Sequence, residues 1–111
     1  MRTFTMGHDA TKITYNIQKI GQDIDITITG GKAHIGCIAV ISNQSYNIIK
    51  IENHREDEMI KPIVKELTKE KTPTIVLKAG FHLDDITPQQ ITEVLQNNKQ
   101  SIETIKKYIN S

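Results

Sequence analysis

The chain has no tryptophan and only two phenylalanines and three tyrosines, so it lacks the series of exposed rings on which single-stranded nucleic acid stacks its bases. Its single cysteine, Cys37, excludes an intramolecular disulfide and any cysteine-rich zinc site, and fits a reducing compartment. No apolar run approaches the ~20 residues of a membrane span, and no basic region followed by an apolar stretch opens the chain as a secretory leader would. Neither sign of charge dominates: fourteen Lys and Arg face thirteen Asp and Glu, a net charge of +1 with no long block of either sign. A polyanion or an anionic membrane surface therefore finds no electrostatic footprint. The expectation is a cytoplasmic protein with no nucleic-acid or membrane partner. With no linker-like or low-complexity stretch, 111 residues suit one compact domain spanning 1–111.

The first half is written in period two. Ile13, Tyr15, Ile17 and Ile20 alternate with Lys12, Thr14, Asn16 and Gln18, and Ile24, Ile26 and Ile28 with Asp23, Asp25 and Thr27. This pattern predicts half-exposed antiparallel strands turned at Gly21-Gln22-Asp23 and again at Gly30-Gly31-Lys32. The run from His34 to Ile41 is more uniformly apolar and reads as an interior strand covered on both faces. Tyr46 to Ile51 follows as a further strand, and Arg2 to Met6 forms a short one at the start.

The second half changes period. Met59, Ile60, Ile63, Val64 and Leu67 recur at helical spacing within 55–71, with a distortion expected at Pro62. Thr74 to Ala79 reads as a buried strand. Thr87-Pro88-Gln89-Gln90 is a helix start with a capping Thr, Pro at the first helical position and Gln to close a capping box. The last helix then presents Ile91, Val94, Leu95, Ile102, Ile105 and Ile109 on one face, interrupted by Asn98. The resulting fold class is α+β: a single domain with a mainly antiparallel five- to six-stranded sheet and two helices packed on it. The connection from Tyr46–Ile51 through the first helix to Thr74–Ala79 has the length of a crossover, which makes those strands candidates for a parallel arrangement.

Chemistry concentrates at two strand-to-helix junctions, 52–58 (Glu-Asn-His-Arg-Glu-Asp-Glu) and 80–88 (Gly-Phe-His-Leu-Asp-Asp-Ile-Thr-Pro). His34, His54 and His82, with Glu56, Asp57, Asp84 and Asp85, have the donor types of a divalent-metal site, but no HxH, HxxxH or HExxH spacing gathers them. The acids also serve as first-turn charges at helix N-termini. Arg55 and His54 beside a helix N-terminus suit a phosphate or carboxylate, opposed by the neighbouring acids. Cys37, inside an apolar run, reads as a small buried hydrophobe in preference to a nucleophile. The glycines at 30, 31 and 36 match neither phosphate-loop pattern.

Three of these strings carry a resemblance: Ala33-His34-Ile35-Gly36, His54-Arg55-Glu56-Asp57-Glu58 followed by Pro62, and 80–88. Together they resemble a family of small proteins encoded with prenylated-flavin-dependent UbiD-type aromatic-acid decarboxylases, the D subunit of hydroxyarylic acid and gallate decarboxylase systems, described as a prenylated-flavin chaperone domain. Phe81 stands where a smaller aliphatic is expected in that family. The resemblance implies a fold similar to proteasome assembly chaperones, and a homodimeric, non-catalytic accessory protein. It implies binding of prenylated FMN, of the large decarboxylase subunit, or of both, to assist cofactor loading. His34, Gly36, His54, Arg55, Glu56, Asp57, His82, Asp84 and Asp85 would line the functional surface. Two other readings stay open: a small metal-dependent enzyme built on the histidines, and a purely structural assembly chaperone whose polar junctions only cap helices.

Overall fold

The computed structural model describes residues 1–51 and 56–111. Alternating residues build β1 (Arg2–Met6), β2 (Ile13–Ile20), β3 (Asp23–Gly31), β4 (Cys37–Ser42) and β5 (Ser45–Lys50), followed by α1 (Asp57–Leu67), β6 (Ile75–His82) and α2 (Pro88–Ile109). A 3-10 turn at Asp9–Thr11 links β1 to β2. The strands form one six-stranded sheet in the order β1-β2-β3-β6-β4-β5, so the α+β architecture expected from the sequence is the one observed. Every pairing is antiparallel except β3 with β6. β5 and β6 run in the same direction, since both are antiparallel to β4, but β4 lies between them and they do not pair. Asn43 and Gln44 both adopt positive φ, 52° and 61°, the backbone of a type I′ turn that matches strand twist and closes the β4–β5 hairpin.

Both helices pack on one face of the sheet. Ile13, Tyr15 and Ile17 of β2, Ile24, Ile26 and Ile28 of β3, Ile75, Leu77 and Ala79 of β6, and Cys37, Ala39 and Ile41 of β4 form the inner face. They meet Met59, Ile60, Ile63, Val64 and Leu67 of α1 and Val94 and Ile105 of α2 in one hydrophobic core. Fully burying an Ile or Leu stabilises by roughly 1.5–3 kcal/mol relative to leaving it exposed, so this layer dominates the fold's stability. Asn98, which interrupts the apolar stripe of α2, is fully buried and belongs to the core. Its Oδ1 accepts from Tyr15 Oη at 2.7 Å and its Nδ2 donates to the Met59 carbonyl at 2.7 Å, joining β2, α2 and α1 through one amide. Burial raises the Tyr15 phenol far above its ordinary value, opposed in part by a hydrogen bond with Ser101.

Several boundaries differ from the sequence reading: β6, read as Thr74–Ala79, runs on through Gly80 to His82. The strand expected over His34–Ile41 begins at Cys37, second from the sheet edge, and is covered on one face only, with Val40 exposed. α1 spans Asp57–Leu67 and ends at Thr68, whose hydroxyl takes the Val64 carbonyl at 2.7 Å. It is continuous through Pro62. α2 starts as read: Thr87 Oγ1 accepts from the Gln90 N–H at 3.1 Å and Gln90 Oε1 accepts from the Thr87 N–H at 2.9 Å.

Because side chains alternate across a strand, the pairing registers fix the rows of the outer face, on which neither α1 nor α2 packs. One row reads Thr3, Asn16, Thr27, Lys78, Ile38, Ile49 across all six strands; the next reads Gln18, Asp25, Val76, Val40, Asn47. This face is polar over β1–β3 and apolar over β4–β5. Lys78 Nζ lies 3.1 Å from Asp25 Oδ2, which draws the ammonium toward β3.

Candidate functional site

The parallel β3–β6 pair brings two strand C-termini to one end of the sheet, where β4 begins and α1 starts. Gly31 lies opposite His82, and Gly36, one step before the Cys37–Ala79 pair, lies beside Gly80. Two glycines side by side leave a notch in the outer face, and both are filled. A Cβ on Gly80 would collide with the backbone of His34, and a Cβ on Gly36 would collide with the carboxylate of Glu56. The segment between β3 and β4 is therefore laid directly over β6. Backbone bonds pin its two ends, Lys32 N–H to the His82 carbonyl at 2.9 Å and Gly36 N–H to the Ala79 carbonyl at 2.8 Å.

His34 is held by this arrangement. Its Nδ1 is 3.0 Å from the Lys32 carbonyl, which only accepts, so that nitrogen carries a hydrogen. Its Nε2 lies 2.7 Å from Glu56 Oε1, and the Glu56 side chain is only 6% exposed. The His82 ring lies edge-on to the His34 ring, with centroids 6.5 Å apart. His82 Nε2 is 3.0 Å from Asp84 Oδ1, and Asp84 Oδ2 is 2.8 Å from Lys32 Nζ. Hydrogen bonds from Lys32 and then His82 hold the Asp84 carboxyl below its usual value. The result is an outward-facing polar corner of two imidazoles, two carboxylates and one ammonium.

Of the residues singled out in the sequence, His34, Gly36, Glu56, His82 and Asp84 come together here. His54 and Arg55 lie outside the described residues. Asp85 is exposed at a positive φ of 55°, in the turn that leads to α2. Asp57 is buried and faces lysines: Lys61 Nζ at 3.1 Å and Lys50 Nζ at 3.6 Å. It ties the first turn of α1 to β5. Burial alone would raise its pKa, but the Lys61 hydrogen bond and the charges of Lys50 and Lys61 hold it below the ordinary value. Cys37 is fully buried, and its thiol is pushed up by burial and by the charges of Asp57 and Glu56, the reverse of what a nucleophile needs. Among the described residues, no group of three or more His, Cys, Asp or Glu is placed to hold a metal ion.

Two members of the corner were not among the sequence candidates. Lys32 joins through the β3–β6 register, which carries the residue after Gly31 to the loop after His82. Gly80 joins through the space that it leaves. Phe81, the larger residue where an aliphatic was expected, sits opposite Gly30 in the same register, and a Cβ on Gly30 would collide with its ring.

The sequence model of the prenylated flavin chaperone LpdD-like domain matches residues 7–110. The chain belongs to that family. The match contains each of the strings on which the resemblance rested, and membership supports an accessory chaperone role. No curated protein matches the sequence. Among solved structures, this LpdD-like chain is similar in fold to one described as a novel chaperone complex for yeast 20S proteasome assembly, with a TM-score of 0.56 over 97% of each chain and 10% identity. That likeness concerns the fold alone. No helix among the described residues is long and apolar enough to cross a membrane.

Proposed function

We propose that this LpdD-like protein binds prenylated FMN at the polar corner and assists its loading into a UbiD-type aromatic-acid decarboxylase, without catalysing the decarboxylation itself. The observation that carries this reading is the corner's construction: two imidazoles held in fixed orientation by carboxylates on a glycine notch, in a chain of the prenylated flavin chaperone family. A flavin mononucleotide offers one phosphate and a ring rim rich in hydrogen-bonding oxygens and nitrogens. His82 offers its Nδ1 to such groups, while both ring nitrogens of His34 already face the Lys32 carbonyl and Glu56 and set the corner's shape. The Lys32–Asp84 pair is well exposed on both sides, and exposed pairs contribute only ~0–1 kcal/mol, so a phosphate can take the ammonium from Asp84 at little cost. Arg55 is the second cation assigned to the phosphate. The polar part of the outer face, over β1–β3, is the surface assigned to protein contacts, with the large decarboxylase subunit and with a second copy in a homodimer, both in the cytoplasm.

Titration of the purified protein with prenylated FMN and with FMN, followed by flavin fluorescence or calorimetry, tests the reading. Saturable binding that weakens about tenfold, equivalent to 1.4 kcal/mol, in His82→Ala and in Arg55→Ala is expected. Absence of saturable binding to either flavin refutes direct carriage of the cofactor.

A further inference from the structure

The outer face beside the corner carries aliphatic residues that lie outside the core, half-buried at Ile38 and exposed at Val40, Ile49 and Ile51. Ile38 pairs directly with Ile49 across β4–β5, Val40 follows two residues along, and Ile51 is bonded through its N–H to the Gly36 carbonyl at 2.9 Å. Ile49 is 56% exposed and Val40 37%. A β-strand advances about 6.6 Å over two residues, so Ile38 and Ile49 stand one row from Gly36 and the His34–Glu56 pair. The one charge in their row, Lys78, is drawn away toward Asp25 on β3. The shelf is therefore neutral, apolar and continuous with a polar, partly cationic corner.

We infer that this shelf, centred on Ile38 and Ile49, receives the ring system of the flavin and selects the prenylated form over plain FMN. The inference rests on the flavin reading of the corner. Its own basis is complementarity: a ligand with an anionic end and an uncharged, apolar end meets a surface divided in the same way. The carbons of the prenyl group add apolar surface that plain FMN lacks, and that surface gains from contact with Ile38 and Ile49 but not with histidines or lysines. The corner residues therefore set affinity for both flavins together, and the shelf residues set the ratio between them.

The test measures dissociation constants for prenylated FMN and FMN with the full chain and with Ile49→Ser, Ile38→Ser, His82→Ala and, as an exposed isoleucine at the opposite end of β2, Ile20→Ser. The unmodified protein is expected to prefer prenylated FMN by roughly tenfold, in line with the discrimination that an added methylene can give in an apolar site. Ile49→Ser and Ile38→Ser should bring the ratio near one, while His82→Ala weakens both ligands equally and Ile20→Ser changes neither. Thermal melts accompany each variant; Ile49 is exposed, so its replacement leaves the core intact. A ratio unchanged in both shelf variants overturns the inference and leaves corner binding standing, whereas failure of the unmodified protein to bind either flavin overturns both.

Discussion

Gly80→Ala is the most discriminating small change available in this molecule. The added Cβ points to the outer face and lands on the carbonyl carbon and oxygen of His34, which are backbone atoms and cannot be relieved by a rotamer change. The segment that must move is fixed at both ends by the Lys32–His82 and Gly36–Ala79 backbone bonds. Overpacking costs ~1–3 kcal/mol, and each lost internal hydrogen bond ~0.5–1.5 kcal/mol. A total of about 3 kcal/mol follows if one of the two bonds breaks. At roughly 4 °C per kcal/mol for a domain of this size, the melting temperature should fall by ~12 °C. The His34–Glu56 bond should be lost with it, visible as a change in the His34 imidazole signals by NMR. Gly21→Ala is the control: it introduces positive-φ strain, at φ 59°, which Gly80 does not carry, but its Cβ meets nothing within 4 Å. It should cost ~1–2 kcal/mol and leave the His34 signals in place. A Gly80→Ala protein that melts within ~2 °C of the unmodified chain with an unshifted His34 ring would refute the notch as the device that positions the corner.

Two further outcomes follow from the interior and from the α1–β5 clamp. Tyr15→Phe removes the donor to Asn98 Oδ1 in a fully buried site, and should destabilise by ~1–3 kcal/mol in denaturant unfolding, whereas Asn98→Leu in the Tyr15→Phe background should recover part of that loss; strict additivity of the two changes would show that the pair is not coupled. Asp57 has a folded pKa below its unfolded value, so its stabilising contribution is complete above the unfolded value near pH 4 and is lost as pH falls through the lower, folded one. Asp57→Asn should therefore flatten the acid limb of the stability profile below about pH 4 and leave its slope unchanged near pH 7; an unaltered acid limb would remove Asp57 as its source.

Much of the fold was legible because period-two and period-3.6 patterns are enforced by a single core face. Ile13, Tyr15 and Ile17, Ile24, Ile26 and Ile28, and Met59 to Leu67 all fall where their spacing put them. Strand order was not legible, because nothing local to Ile75–His82 says that it inserts between β3 and β4. The apolar run at Cys37–Ile41 suggested cover on both faces, yet Ile38 and Val40 look outward. Asn98 looked like an interruption because its partners, Tyr15 and Met59, lie 83 and 39 residues away. His34, Glu56, His82 and Asp84 were identified by type, but their meeting depends on pairing that spacing cannot give. Asp57 illustrates the converse: it has the right type and neighbourhood, but it faces Lys50 and Lys61.

The insertion of β6 explains why the corner lies where it does. An all-antiparallel sheet alternates strand ends, so consecutive C-termini fall at opposite edges. Placing β6 parallel to β3 puts Gly31 and His82 opposite each other at one edge, and placing it antiparallel to β4 brings the start of β4 to that same edge. Since β5 is antiparallel to β4, its C-terminus arrives there too and leads toward Glu56 and α1. Three chain segments thus converge, and each contributes one or two polar groups: Lys32 and His34, Glu56, and His82 with Asp84. The arrangement also depends strictly on register. A slip of β6 by one residue would exchange Gly80 for Ala79 or Phe81 beneath the His34 backbone and turn His82 to the other face, since alternate residues occupy opposite faces. The inner face resists such a slip, because Ile75, Leu77 and Ala79 would have to leave the core. The same hydrophobic alternation that stabilises the sheet therefore aligns Gly80 under His34 and sets His82 beside it.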